Sequence, residues 1–502
     1  MAITLGNGTV TFGDNTVQAT AENYPTKLMD TTHQNNPYRH SFVIMSDGGV
    51  KAWGYNATGI LGTGDTTVVP GVGDVGFPPS FPGAASIYTN RTLNSFCIDV
   101  NGQLWSWGRN DYGSAGNGTA VAIYTPYNAS NNASNSIYGK TVTYVAVPNG
   151  QEEIDFVMVL CSDGTVHACG YNGYGQCGDG TTTNRYNFVR CGALAGVTSI
   201  SCGRERYTSC MAISSGVMYN WGYNGDYELG TGNTTSSSSP ASRMTGSLSG
   251  KTATYVTNGY LCQFVLCSDN TLHGVGNQQQ GQLGIGNTTV YSTFQQMRTG
   301  VQSVVAGGYD YPLTVIITTS NTVYFAGNDS YIIPYTVNTP YYTYDIYGHV
   351  TGGPFNSWSK VITNGWYQVT GWSGTVSKVG WMGTGGYNSL FVMNTAGTIY
   401  SYGRNGYGQL GAGRPDQPNV FMPYGSLTTG NTDPNTGTII GPLTVCCDAA
   451  ADFSTVGEAD LTGICILTNK KKVKYSGYGG DYASGATQAY SKWVPTTVNL
   501  NG

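Results

Sequence analysis

The sequence predicts an all-β chain folded as a β-propeller of seven or eight four-stranded blades, and three observations carry that prediction. An anchor glycine recurs eight times, at positions 54, 108, 170, 222, 276, 327, 403 and 477. Each copy sits at the end of a hairpin-like pattern, and successive copies are 51 to 76 residues apart, enough for four short strands with turns. Helical periodicity is almost absent. A four-stranded sheet of that size cannot bury both faces alone, so successive sheets stack radially.

Each part of the unit has a physical reason. Four residues before every anchor stands an apolar residue (Val50, Leu104, Val166, Met218, Leu272, Val323, Ile399, Val473), and Trp53, Trp107, Trp221 or Tyr402 precedes the anchor in four copies. This is a strand with a fixed inward position. Six residues before the anchor lies Gly48, Gly102, Gly164, Gly216 or Gly397, preceded by Asp47, Asn101 or Asp163 in three copies. Asp-Gly and Asn-Gly pairs reach the positive φ that a tight hairpin turn needs. Upstream runs beginning at Phe42, Phe96, Phe156, Phe264 and Phe391 supply the partner strands. Downstream, Asn56, Asn110, Asn172, Asn224 and Asn405 follow at +2, with glycines at +5, +8 and +10, as in Gly59, Gly62 and Gly64. Such spacing marks a compact loop where backbone passes close to backbone. A phosphate-cradling loop would need a following helix with Lys and Ser or Thr, and none follows.

Composition narrows function. Of 502 residues, 73 are Gly and 38 Tyr, and only 10% are charged. Hydrophobics at 39% exclude charge-driven disorder, and the glycines follow no three-residue period, which excludes collagen. Twenty-two basic against 27 acidic residues, net charge −5, give no basic patch for polynucleotide. The first two dozen residues have neither a basic start nor a sustained apolar core, and no run of about 18 apolar residues occurs, so neither a secretory signal nor membrane insertion is expected.

The run SDGTVHACGYNGYGQCGDG from Ser162 to Gly180, and likewise AGTIYSYGRNGYGQLGAG from Ala396 to Gly413, resembles the repeat of the regulator of chromosome condensation family. The resemblance spans most of residues 40 to 490, is altered in the fifth copy (Asn270 and Gln278 replace Gly and Asn), and fades in the sixth and eighth. It implies a propeller, usually seven-bladed. The tail from Trp493 to Val498 reads as the start of another blade, as when the two termini share a blade. The family's best-known member is a nucleotide exchange factor for a small GTPase that binds chromatin. No residue set carries exchange over, and the only basic run, Lys470 to Lys472, falls at a hairpin turn.

The N-terminus points elsewhere. VTFGDNTVQATA, Val10 to Ala21, looks like a short segment found near the ends of many tailed-bacteriophage fibre and virion proteins. It makes Phe12, Asp14, Val17 and Gln18 the candidate virion-attachment residues of a hairpin too small to be stable alone. An aromatic-rich elaboration at 328–396 holds Tyr341, Tyr342, Trp358, Trp366, Trp372 and Trp381. Flat amphipathic rings suit a receptor glycan or partner subunit; the alternative is that they plug the core of a poorly matched blade.

Catalytic constellations are weak. His167 and His273 share a repeat slot with Lys51, Trp105, Tyr219, Tyr324, Tyr400 and Lys474, which suits a variable blade position better than a ligand or base. His40 begins the family's first hairpin strand. No Cys or His pair has zinc-finger spacing, the twelve cysteines read as free thiols, and Glu152, Glu153 and Asp155 or Glu458 and Asp460 are the only carboxylate clusters. Catalytic, cofactor-binding and metal residues are therefore expected to be none.

These readings converge on a non-enzymatic bacteriophage virion protein, a tail-fibre or baseplate-associated receptor-binding protein located at the periphery of the particle. Residues 1–24 form its attachment or oligomerisation segment and 25–502 its propeller. Expected partners are other virion proteins, a bacterial surface glycan or protein receptor, and further copies of the chain. The alternatives are a cellular regulatory or scaffold propeller, exchange-like, that binds a protein partner, and a surface polysaccharide depolymerase.

Overall fold

A computed structural model describes residues 4–6, 9–11, 17–19, 23–29, 40–67, 69–89, 93–148, 155–203, 207–307, 312–328, 343–344, 350–352, 362–369, 371–382, 389–403, 443–444, 448–458, 461–477, 492–497 and 500. Eight four-stranded antiparallel meanders follow one another: blade 1 (25–74), blade 2 (84–128), blade 3 (142–190), blade 4 (197–242), blade 5 (253–298), blade 6 (301–369), blade 7 (376–444) and blade 8 (450–497). The blade number is thus eight. Except between blades 6 and 7, the first strand of each blade touches the first or second strand of its neighbour, which places the first strands nearest the axis. Thr4–Gly6, Thr9–Thr11 and Val17–Ala19 pair only among themselves, in a three-stranded sheet.

The anchor glycine ends the third strand, and its role is steric. A Cβ on Gly108, Gly170, Gly222, Gly276 or Gly327 would stand 2.1 to 2.5 Å from the carbonyl oxygen of the residue just before the second strand, such as Asp155 for Gly170. That same carbonyl accepts the N–H after the anchor, as from Tyr171 at 2.7 Å. Only glycine brings the strand end this close, at φ near +100°.

The Asn at +2 then ties the loop to itself. Asn172 is fully buried; its Oδ1 accepts the Cys177 N–H at 2.8 Å, and its Nδ2 donates to the carbonyls of Thr181 at 3.1 Å and Thr183 at 3.0 Å. Asn56, Asn110 and Asn224 repeat this pattern, and Gln278 reproduces part of it in blade 5.

Blades are joined on both faces. On the loop face, the N–H groups of Gly64, Gly118, Gly180 and Gly232 donate to the outer strand of the next blade at 2.9 Å. On the opposite face each hairpin turn holds the start of the next blade. The N–H of Ala84, Val142, Val197, Ala253, Val301 and Ala450 donates to the turn carbonyl of Gly48, Gly102, Gly164, Gly216, Asn270 and Gly397, and that of Val376 to Asn321 Oδ1. Asn270, Asn321 and Lys471 keep a positive φ where the other copies have the turn glycine. In blade 1 the matching position is Pro25, which has no N–H to give.

The ring closes differently from the sequence-based expectation. Lys492–Thr497 is the fourth strand of blade 8, paired to Val473–Gly477, so the tail completes its own blade instead of opening another. Blade 8 meets blade 1 through side chains, with Cys465, Leu467, Val473 and Tyr475 packed among Leu28, Met29, Phe42 and Val43.

A volume exchange fills the five seams from blade 1 to blade 6. A Cβ on the +8 glycine would stand 2.7 to 2.8 Å from an aromatic ring of the following blade: Trp107 for Gly62, Phe188 for Gly116, Trp221 for Gly178, Phe294 for Gly230 and Trp366 for Gly284. Where the third strand offers Trp107 or Trp221 just before its anchor, the fourth strand carries Pro126 or Pro240. Where the third strand offers Cys169, Val275 or Ala326, the fourth supplies Phe188, Phe294 or Trp366. Each of these five seams receives one large ring from either source, which keeps it close-packed.

Candidate functional site

The loops that the anchors of blades 2 to 4 launch leave the residues at +1 and +4 partly exposed. In blades 2 to 4 these are tyrosines more often than not: Tyr112, Tyr171, Tyr174 and Tyr223, joined by Tyr207 from the connection between the first two strands of blade 4. Their rings form a chain. Tyr112 meets Tyr171 at 5.2 Å between centroids, Tyr171 meets Tyr174 at 6.4 Å, Tyr174 meets Tyr223 at 5.1 Å and Tyr207 at 5.7 Å, and Tyr207 meets Tyr223 at 4.6 Å. All five are half-buried, so each ring is held by its neighbours while one side faces solvent. Edge-to-face contacts fix such rings at little entropic cost. Arg109 pairs with Asp111 at 2.6 Å beside this ridge.

Two buried carboxyls lie beside the ridge, Asp155 just before the second strand of blade 3 and Glu228 in the anchor loop of blade 4. Asp155 is wholly buried; Oδ1 accepts from Asn94 Nδ2 at 2.8 Å and Oδ2 from the Tyr112 N–H at 3.4 Å. Burial pushes its carboxyl up to about 7 against the pull of those two donors. Glu228, 1% exposed, stands where blades 3 and 5 have Gln176 and Gln282. Each of the three accepts the N–H two residues earlier, at 2.9 Å for Gln176, 3.0 Å for Glu228 and 3.1 Å for Gln282. Glu228 Oε1 has no partner, whereas Gln282 Nε2 donates to the Tyr260 carbonyl at 3.4 Å. Desolvation pushes Glu228 well above the usual carboxylate range, which favours its protonated form at the position where blades 3 and 5 carry glutamine.

A raised folded-state pKa means stability is fully present below the unfolded value, near pH 4.5, and is lost as pH rises through the folded one. Glu228→Gln is therefore expected to raise the melting temperature, with the gain growing from pH 5 to pH 8; thermal unfolding followed at several pH values checks this.

The histidine slot proves more ordered than its variability suggests. His167 Nδ1 contacts Ser136 Oγ at 2.7 Å and Nε2 contacts Thr165 Oγ1 at 2.8 Å; Thr165 donates to Asp163 at 2.6 Å, and Asp163 pairs with Lys140. Blade 5 repeats the chain with Ser247, His273, Thr271, Asp269 and Lys251. The spacing Asp-x-Thr-x-His in both copies is a legible signal of it. Burial holds both imidazoles down at about 4, so they stay neutral and tie the inter-blade segment to the hairpin. His40, fully buried, contacts Thr89 Oγ1 at 2.6 Å.

The aromatics singled out in the sequence separate. Trp381 is 1% exposed among Val379, Leu390 and Tyr402: its ring is core and offers no binding surface. Trp366 is half-buried in the seam over Gly284, and Trp372 is half-buried with Nε1 donating to the Val369 carbonyl at 3.3 Å. Trp366→Ala is expected to cost about 2 kcal/mol of stability, read from a chemical denaturation curve. Tyr341, Tyr342, Trp358, Phe12 and Asp14 lie outside the described residues, and Val17 and Gln18 lie on the third strand of the N-terminal sheet. Sequence reasoning weighed aromatic density and so missed the ridge, whose signal is tyrosine recurring at outward loop slots.

Comparison with known proteins agrees with this geometry. The model of the regulator of chromosome condensation (RCC1) repeat matches residues 163–207. Human WBSCR16 superposes with a TM-score of 0.53 at 18% identity, covering 82% of this chain and 96% of that one. Yeast RCC1 (Prp20), solved bound to Kap60, superposes with a TM-score of 0.53 at 15% identity, covering 94% and 85%. The chain is an eight-bladed β-propeller that carries a match to the RCC1 repeat at residues 163–207.

Among relatives of this propeller, the probable E3 ubiquitin-protein ligase HERC4 of Rattus norvegicus is 30% identical over 212 residues, 40% of this chain. The E3 ubiquitin-protein ligase HERC2 of Homo sapiens is 25% identical over 262 residues, 51% of this chain. The chain spans 18% of the first and 5% of the second, so neither match carries a ligase activity over.

These cellular relatives overturn the expectation of a bacteriophage tail-fibre or baseplate protein, with it the virion location, and with it the partner set of other virion proteins and a bacterial surface receptor. The physical reason is that both features that pointed to a virion are weak or belong to the repeat. The N-terminal likeness covers a dozen residues, and the glycine- and asparagine-rich composition is what the anchors and loop ties of the repeat require.

Proposed function

We propose that this propeller is a non-catalytic regulatory or scaffold module that docks a protein partner on the tyrosine ridge of blades 2 to 4. The observation that carries this is the continuous chain of five half-exposed tyrosines. Aromatic rings pre-ordered by their neighbours lose little entropy on binding and are the residue type enriched in interface hot spots. The domain reading that goes with it takes residues 25–502 as the module and 1–24 as a separate segment.

Prp20p of Saccharomyces cerevisiae, TM-score 0.52 at 15% identity over 95% of this chain and 87% of that one, was solved together with its binding properties to Gsp1p and histones. A Gsp1p-type GTPase and core histones are therefore the first probes to use. Tyr174→Ala combined with Tyr223→Ala is expected to weaken the bound probe at least tenfold by biolayer interferometry while the melting temperature falls by only a few degrees. Binding of neither probe, or binding indifferent to the substitutions, would overturn the ridge as the docking face. Release of labelled nucleotide from the GTPase separates an exchange role from a purely scaffolding one.

A further inference from the structure

Cys202 ends the first strand of blade 4 and Cys210 is the second residue of its second strand, and the two are direct cross-strand partners. The adjoining ladder bond runs from the Gly203 N–H to the Ser209 carbonyl at 2.6 Å. That bond flanks the pair, so Cys202 and Cys210 occupy a non-hydrogen-bonded site, where Cα atoms lie about 4.5 Å apart and side chains approach most closely. Disulfides span Cα separations from about 4.4 Å. Both thiols are free, and Cys202 is the one described cysteine that is not buried. Between the two lies the connection that presents Tyr207 to the ridge.

From this register we infer that Cys202 and Cys210 form a reversible cross-strand disulfide that clamps the base of the Tyr207 connection. The oxidant is a small-molecule disulfide of the glutathione type. One cysteine thiolate attacks a sulfur of that disulfide, a mixed disulfide forms and one small thiol leaves. The second cysteine then attacks the protein-bound sulfur and expels the other small thiol, so two protein thiols are oxidised and one disulfide is reduced to two thiols. Cys177 and Cys191 are close enough to Cys210 to raise its pKa electrostatically; they are the competing partners. Burial pushes both Cys202 and Cys210 above the ordinary thiol range, so exchange is slow at neutral pH and accelerates as pH rises toward 9.

The effect of the clamp on docking rests on the ridge reading, whereas the bond itself does not, and mass spectrometry tests the bond alone. The folded full-length protein is equilibrated in glutathione/glutathione-disulfide buffers at pH 8.5, quenched with acid, alkylated and mapped by proteolysis. The expected product is lighter by two hydrogen atoms, carries a single crosslink between the peptides of Cys202 and Cys210, and reverts with dithiothreitol. Cys202→Ser and Cys210→Ser each abolish the crosslink, and Cys177→Ser and Cys191→Ser leave it intact. A crosslink that maps to Cys177 or Cys191, or twelve intact thiols in the folded protein under the most oxidising buffer, would overturn the inference. If the crosslink forms and probe binding on the ridge is unchanged, the bond stands and its coupling to docking falls.

Discussion

Gly170→Ala is expected to lower the unfolding free energy by about 4 kcal/mol, a loss built from positive-φ strain and a displaced hairpin. Gly170 has φ +106°, and an added methyl would stand 2.4 Å from the Asp155 carbonyl and 2.8 Å from the Phe156 Cα. Both obstacles are backbone, so no rotamer change relieves them. The strand end must swing away, which breaks the bond from the Tyr171 N–H to the Asp155 carbonyl and shifts Tyr171 within the ridge. Alanine at Gly139, where a Cβ would meet nothing within 4 Å, is the matched control. It also has positive φ, +71°, but no collision, and is expected to cost only about 1 kcal/mol. Urea denaturation of the two variants side by side separates steric exclusion from backbone strain, and equal losses would refute the steric account.

A loss of similar size, about 4 kcal/mol, is expected for Asn172→Ala. The Cys177 N–H and the Thr181 and Thr183 carbonyls would lose their buried partner, at about 1–3 kcal/mol for each group left unsatisfied. Asn172→Asp gives a sharper reading. Its carboxylate still accepts from Cys177 but faces the two carbonyls with no hydrogen to donate, unless it is protonated. Stability of Asn172→Asp is therefore expected to recover as pH falls from 7 to 4, while Asn172→Ala stays low throughout. Melting temperatures across that range decide between them, and a flat profile for Asn172→Asp would show that the donor half of the amide is dispensable.

The repeat was legible because its residues act locally. A glycine that excludes a Cβ, a turn glycine at positive φ and an asparagine that ties its own loop each leave a fixed spacing in the chain. The seam aromatics were harder to read, because the same space is filled from the third strand by Trp107 or Trp221 and from the fourth by Phe188, Phe294 or Trp366. That exchange hides the recurrence from any single column, and it made Trp366 look like an unassigned surface ring. The tyrosine ridge was invisible to a count of aromatics, since its members come from three blades and from both the anchor loops and the Tyr207 connection. Ring closure was misread for a related reason: whether a terminal strand completes its own blade or its neighbour's depends on pairing across many residues, and the Trp493 segment looks the same in either case.

Pro25 gives the ring a direction. Seven inter-blade joints are crossed by the polypeptide itself and also held by an N–H from the first strand of the following blade. The joint from blade 8 to blade 1 has neither the covalent crossing nor, because of the proline, that donor; among the described residues it carries the Lys471 ammonium 5.5 Å from the Tyr24 ring and the apolar cluster beneath. The molecule is accordingly a linear stack of eight units whose two ends happen to meet, and its closure is an end-to-end association inside one chain. Such a stack frays from its ends, so blades 1 and 8 set the threshold for opening the circle, while blades 2 to 4, which carry the ridge, lie away from the break and keep their neighbours when it opens.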